Sequence, residues 1–153
     1  MLPRHFSRLD DALAVGSYPA GPETVSALAD SGIQAVLNLQ SDQDLHARGL
    51  DWNRMWMSYT SASIRVARVP IMDFDVKDLA RKLDEAVEAL TTFVEAGRVT
   101  YVHCNAGLNR SPTTVIGFLV RQRGMSVEDA ARWVQERHEC VPYTQIVTRW
   151  HRP

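Results

Sequence analysis

Two cysteines in 153 residues, Cys104 and Cys140, are too few to build a disulfide framework. No charge of one sign dominates, since 17 Lys and Arg against 18 Asp and Glu leave a formal net charge of −1. A nucleic-acid binder would show a basic excess, and this chain has none. No apolar run approaches the roughly 18 residues of a membrane span. Residues Met1 to Tyr18 carry Arg4, Arg8, Asp10 and Asp11 and hold no apolar stretch of signal-peptide length. Repeats and low-complexity tracts are missing too, and eight glycines with seven prolines are an ordinary complement. What is present is a 45% hydrophobic composition, enough at this length to bury a core without disulfides or metals. The expectation is one domain over residues 1–153: a cytoplasmic monomer that binds neither nucleic acid nor membrane.

Strand-like and helix-like segments alternate, which is the pattern of an α/β domain. Leu13 to Val15 is a short apolar run closed by Gly16. Gly21-Pro22 opens a helix that Gly32 ends. Ile33 to Leu39 reads as a strand, whereas Ser41 to Asn53 is polar and carries no clear period. Ile64, Val66 and Val69 are strand-like and stop at Pro70, and Ile71 to Lys77 reads as a loop. Asp78 to Ala96 is the clearest helix, with Leu79, Leu83, Val87, Leu90 and Val94 on one face and Asp78 suited to cap it. Val99 to Val102 is a strand. Helices follow from Arg110 or Ser111 to Gly124, from Ser126 with Asp129 three residues on, and from Tyr143 to Trp150.

The chemistry is concentrated in Val102-His103-Cys104-Asn105-Ala106-Gly107-Leu108-Asn109-Arg110-Ser111-Pro112. Five residues separate Cys104 from Arg110, between a predicted strand and a predicted helix. Such a turn lets successive N–H groups point into one hollow at the positive end of a helix, a site sized for phosphate. Gly107 and Asn109 tolerate the positive φ this requires. The Arg110 guanidinium would grip two phosphate oxygens at once. A cysteine in that field is expected to ionise to the thiolate. Ser111 can donate a hydrogen bond to the sulfur when it leaves, and the His103 ring can tie the loop's backbone. The plain alternative is a buried free cysteine beside a capped helix, but that would need neither the glycine-bearing turn nor the arginine. A thiolate nucleophile needs a general acid for the leaving oxygen. Asp73, in Pro70-Ile71-Met72-Asp73-Phe74-Asp75, is the first candidate and Asp75 the second.

These residues resemble the dual-specificity branch of the cysteine-dependent protein tyrosine phosphatases, which carries His-Cys-x5-Arg-Ser/Thr after a strand and an acidic loop upstream. Here Asp73 precedes Cys104 by 31 residues. The low-molecular-weight phosphatases have the opposite chain order. A closer resemblance, over roughly Leu13 to Pro142, is to the plant starch-type glucan phosphatases and laforin-like catalytic domains. It rests on Val15-Gly16-Ser17, on Leu39-Gln40-Ser41-Asp42-Gln43-Asp44-Leu45 with Gly49, on Asp73-Phe74-Asp75 with Asp78-Leu79, and on Val99-Thr100-Tyr101-Val102-His103-Cys104 with the Cys-x-Ala-Gly-Leu core. The departures are Asn109 where that family has glycine and Val141 where many relatives have an aromatic. The resemblance implies an α/β fold with a central, mostly parallel sheet flanked by helices. It also implies two-step phosphomonoester hydrolysis with no cofactor and no metal. Asp73 would be the acid and Phe74 would touch a glucan chain. The substrate would be a phosphorylated glucan, with a phosphoprotein as the alternative.

Trp52, Trp56 and Tyr59 share one face if their segment is helical. They could form a platform for sugar rings or pack the helix onto the sheet, and packing suits Trp56. Cys140 reads as an inert core residue, with pairing to Cys104 under oxidation as the alternative. His138, Cys140 and His151 lack a metal-ligand spacing. Trp133 and Trp150 read as core. A phosphoinositide substrate would call for lysines in the loop, and Asn105 to Asn109 are all uncharged.

Overall fold

The strands alternate sides, as the period of two requires. Leu13 and Val15 face one way and Ala14 the other; Leu37 and Val102 oppose Val36 and Tyr101. Both faces are therefore apolar, and helices cover both. The computed structural model describes residues 1–152. In chain order its elements are β1 (Ser7–Arg8), β2 (Leu13–Gly16), α1 (Pro22–Asp30), β3 (Ala35–Asn38), α2 (Asp42–Ala47), α3 (Trp52–Ser61), β4 (Arg65–Arg68), α4 (Val76–Glu95), β5 (Thr100–His103), α5 (Arg110–Arg123), α6 (Val127–Arg137) and α7 (Thr144–His151). The sheet runs β1-β2-β5-β3-β4. Only β1 is antiparallel to its neighbour. This is the α/β, mostly parallel architecture that the sequence led us to expect. The two-residue β1 carries too little pattern to be read from sequence.

Helices α4 to α7 pack against one face of the sheet, with α5 buried from Arg110 to Val120. On the other face α1 and α3 cover a smaller cluster around Val36, Tyr59 and Tyr101. No helix of the described residues is long and apolar enough to cross a membrane.

Local chemistry explains two differences from the sequence reading. The patternless stretch after Leu39 contains α2, because Ser41 and Asp44 form a reciprocal capping box at distances of 3.1 and 2.9 Å. Helix α4 starts at Val76, so the expectation that Asp78 caps it is corrected. The cap is Asp75, whose carboxylate accepts the Asp78 N–H at 2.9 Å. Asp78 is buried in the first turn, where its carboxylate accepts from the Met72 N–H at 2.8 Å and meets Arg81 and Lys82.

Candidate active site

Parallel register brings the ends of four strands to one edge, with Gly16 beside His103, His103 beside Asn38, and Asn38 beside Arg68. In open α/β sheets the crevice beyond these carboxyl ends is where ligands bind. The loop from Cys104 to Asn109 lies there, between β5 and α5.

The loop's carbonyls are tied down one after another. The Cys104 carbonyl meets His103 Nδ1 at 3.1 Å. The Asn105 carbonyl accepts from the Tyr18 N–H at 3.1 Å, and the Leu108 carbonyl from the Val141 N–H at 2.8 Å. The Gly107 carbonyl meets His138 Nε2 at 2.7 Å. The Asn109 carbonyl accepts from the Thr113 hydroxyl at 2.6 Å. A trans peptide points its N–H opposite to its C=O, so clamping the carbonyls from outside turns the N–H groups inward. Among the described residues the backbone N–H groups of Asn105 to Arg110 donate to no protein acceptor. Helix α5 likewise has no side-chain cap. Five of these six donors, all but the Gly107 N–H, sit on peptides whose carbonyls are clamped in this way, and at a positive helix end that arrangement suits an anion. Gly107 is required at its position. Its φ is +76°, and a Cβ there would lie 2.5 Å from the Gly16 carbonyl carbon.

Cys104 is buried at the base of this hollow, with its Sγ 3.3 Å from Ser111 Oγ. Arg110 is buried as well. Its Nη1 donates to Asp44 Oδ2 at 2.6 Å and to the Ile71 carbonyl at 2.7 Å. The opposite edge of the guanidinium is less engaged: Nη2 lies 3.1 Å from Asp73 Oδ1, and Nε is buried with no partner among the described residues. That Nε–Nη2 edge is the fork that suits two oxygens of a phosphate. Burial opposes the charge on Asp44. Hydrogen bonds from Arg110, Asn105 and Ser41 outweigh this and hold its carboxyl below the ordinary range. Burial, aided by the Arg110 charge, pushes the His103 imidazole down to about 4, so the ring is neutral.

Asp73 sits beside Arg110, and its other oxygen accepts from Asn105 Nδ2 at 3.2 Å. The next residue, Phe74, holds φ at 58°, in the left-handed region uncommon for a bulky residue. That turn leaves the Phe74 ring 76% exposed. Asp75, the second candidate acid, is instead committed to the α4 cap.

The aromatic expectations need correction. Tyr59 is 1% exposed, packed with Val36 and Ile64, so it belongs to no open surface. Trp56, expected to pack, is 50% exposed. Trp52 is half-buried with the Arg68 guanidinium 5.5 Å from its ring centroid. Helix α3 buries Met55 and Tyr59, four residues apart, and that stripe turns Trp56 outward. Trp133 and Trp150 lie at the core's margin, stacked with Arg137 and Arg121 at 4.2 and 4.0 Å. Burial pushes the Cys140 thiol up to about 11.

Sequence reasoning missed Asp44, Gln40, Tyr18 and His138 as parts of the site. The Ser-x-x-Asp spacing at Ser41 could have revealed α2, but nothing local marks Asp44 as the partner of Arg110, 66 positions away.

The family model described as dual specificity phosphatase, catalytic domain, matches residues 13–148. An amyloplastic phosphoglucan phosphatase of Castanea sativa is 34% identical over 132 residues, covering 85% of this chain and 35% of that protein. Laforin of Mus musculus is 27% identical over 148 residues, covering 90% of this chain and 45% of its own length. The chain thus spans between about a third and a half of these two relatives. The crystal structure of Tk-PTP in its active form superimposes with a TM-score of 0.75 at 23% identity, covering 96% of this chain and 93% of that one, a likeness of fold.

Proposed function

Because the chain belongs to the dual-specificity phosphatase family, we propose that it hydrolyses phosphomonoesters through a phosphocysteine intermediate. The observation that carries this reading is the run of six N–H groups after Cys104 that have no acceptor among the described residues, together with the unpartnered Nε of Arg110. The Cys104 sulfur attacks phosphorus in line, forming the S–P bond as the P–O bond to the leaving group breaks. The loop N–H groups and Arg110 bind the equatorial oxygens, whose charge they stabilise in the transition state. Asp73 gives its proton to the leaving oxygen. Water then attacks the phosphocysteine and passes a proton to the Asp73 carboxylate. Inorganic phosphate and the thiolate are released, with Ser111 donating a hydrogen bond to the departing sulfur. His103, neutral and buried, holds the Cys104 carbonyl. The chemistry calls on no cofactor and no metal.

The substrate in this reading is a phosphorylated glucan. Similarity to an enzyme named for phosphoglucan supports it, as does the exposed Phe74 ring next to Asp73. The loss of Tyr59 from the proposed platform favours the second reading, a phosphoprotein. The same proposal takes residues 1–153 as one catalytic domain acting as a monomer in the cytoplasm.

The test of the chemistry is Cys104→Ser. It should abolish turnover of an aryl phosphate while inorganic phosphate still binds, because a serine hydroxyl stays protonated there. Full activity in that variant would overturn the mechanism. The test of the substrate compares phosphate release from amylopectin and from a phosphopeptide, with Phe74→Ala alongside. A glucan enzyme should lose far more activity on amylopectin than on a small aryl phosphate. Equal losses would leave Phe74 as a support of the acid loop and put the phosphoprotein first.

A further inference from the structure

The Asn105 side chain is buried between three partners. Its Nδ2 donates to Asp44 Oδ1 at 2.8 Å and to Asp73 Oδ2 at 3.2 Å. Its Oδ1 accepts from Gln40 Nε2 at 3.0 Å. The orientation of the amide is fixed by charge. Two carboxylates face its nitrogen, and the flipped amide would turn its oxygen toward both. Among the described residues Asp73 is held by two groups, Asn105 at Oδ2 and Arg110 Nη2 at Oδ1.

These two holds differ in what happens when a phosphate enters. The Nε–Nη2 edge of Arg110 is the edge an incoming phosphate takes. Once Nη2 turns to phosphate, Asp73 Oδ1 loses its partner and Asn105 remains as the only hold. From this geometry we infer that Asn105 is the positioning residue for the acid, a side-chain role separate from its backbone N–H in the phosphate cradle. The inference rests on the phosphatase reading above. Asn105 keeps Oδ2, which leaves Oδ1 to carry the proton and to face the bridging oxygen. As the S–P bond forms and the P–O bond breaks, the proton moves from Oδ1 to that oxygen and the carboxylate is left behind. The second Nδ2 hydrogen anchors Asn105 to Asp44, which also holds Arg110 Nη1. One amide thus sets the distance between the acid loop and the arginine.

The experiment measures kcat/KM for a series of aryl phosphates of rising leaving-group pKa, in wild type, Asn105→Ala, Asp73→Asn and the double variant. Loss of a placed acid weighs most on poor leaving groups. For Asn105→Ala we expect a drop of about ten- to a hundredfold on phenyl phosphate and about threefold or less on the best leaving group, a part of the range for a lost general acid. The slope should steepen as it does in Asp73→Asn. The double variant should lose little beyond Asp73→Asn alone, since the two act through one proton. Competitive inhibition by inorganic phosphate should weaken by about threefold or less, since the Asn105 backbone N–H remains and Arg110 keeps its bonds to Asp44 and the Ile71 carbonyl. The slope is independent of the folded fraction, because inactive protein lowers every rate by one factor. Asn105→Asp, nearly isosteric, repels both carboxylates and should steepen the slope at least as much. A uniform loss across all leaving groups, an additive double variant, or no loss at all would each overturn the inference. Failure of the wild type to turn over any aryl phosphate would instead overturn the phosphatase reading itself.

Discussion

Asp73 and Asp75 are two residues apart, and the left-handed turn at Phe74 gives them opposite duties. Asp73 reaches Arg110, while Asp75 caps α4 by accepting the Asp78 N–H. Asp75→Ala should therefore cost about 1 kcal/mol of stability, as a lost helix cap does. Its leaving-group dependence should match wild type. A urea titration beside the aryl phosphate series checks both, and a steepened slope would return Asp75 to the chemistry. Tyr59 makes the complementary case. Its hydroxyl is buried without a partner among the described residues, and burial pushes the phenol up. Tyr59→Phe removes an unsatisfied group, so stability should hold or rise by up to about 1 kcal/mol. Activity on amylopectin should not change. A selective loss there would put the ring back in the substrate's path.

At the scale of elements, the loop from Cys104 to Asn109 is shaped by what surrounds it. The turn after β2 supplies the Tyr18 N–H, and the connector between α6 and α7 supplies His138 and Val141. The Asn109 side chain returns the contact by donating to the Val141 carbonyl at 2.7 Å. Close approach of Gly107 to Gly16 brings the loop within reach of these clamps. Gly107→Ala must move the backbone to relieve both the contact and the positive φ. A shift near 1 Å at a catalytic loop costs on the order of 10²-fold in rate. We expect kcat/KM on an aryl phosphate to fall by about that factor, with weaker inhibition by inorganic phosphate, and steady-state kinetics measures both. Helix α2 is held by its capping box, and Asp44 serves the box and Arg110 together. A short helix thereby becomes part of the site's foundation.

For the whole molecule, the buried histidines set how stability follows pH. Burial pushes His103 from its ordinary 6.5 to about 4. Below pH 6.5 the unfolded chain takes up a proton that the folded chain refuses. The stability held above pH 6.5 is therefore lost as pH falls toward 4, by about 3 kcal/mol over that window. His138 is also pushed down by burial, with the His5 charge acting the same way, and it adds to the loss. The depressed carboxyls of Asp10, Asp44 and Asp78 act later, since their contribution is lost only below their ordinary 3.8. Urea midpoints at pH 7, 5.5 and 4.5 should fall in that order. The fall should be shallower in His103→Gln, and an equal slope would show that His103 does not carry it.

The sequence by itself determined the alternation of strands and helices, the cysteine loop and the short carboxylate-bearing loop before it, because each depends on neighbours within a few residues. A strand shows its period of two, Asp73 lies in a short loop, and Cys104 to Arg110 is one turn of chain. Two-residue β1 and six-residue α2 were too short to show a period, though the capping box left a mark at Ser41. Only the tertiary structure decided which carboxylate meets the arginine and which aromatics reach the surface. Asp44 and Asn105 are 61 positions apart, and they meet because β3 and β5 pair in parallel register and the capped helix α2 follows β3. The face that α3 packs inward, with Met55 and Tyr59, hides Tyr59 and leaves Trp56 exposed, a choice between faces that spacing leaves open. Contacts of that kind follow from how whole elements pack, so no window of local sequence contains them.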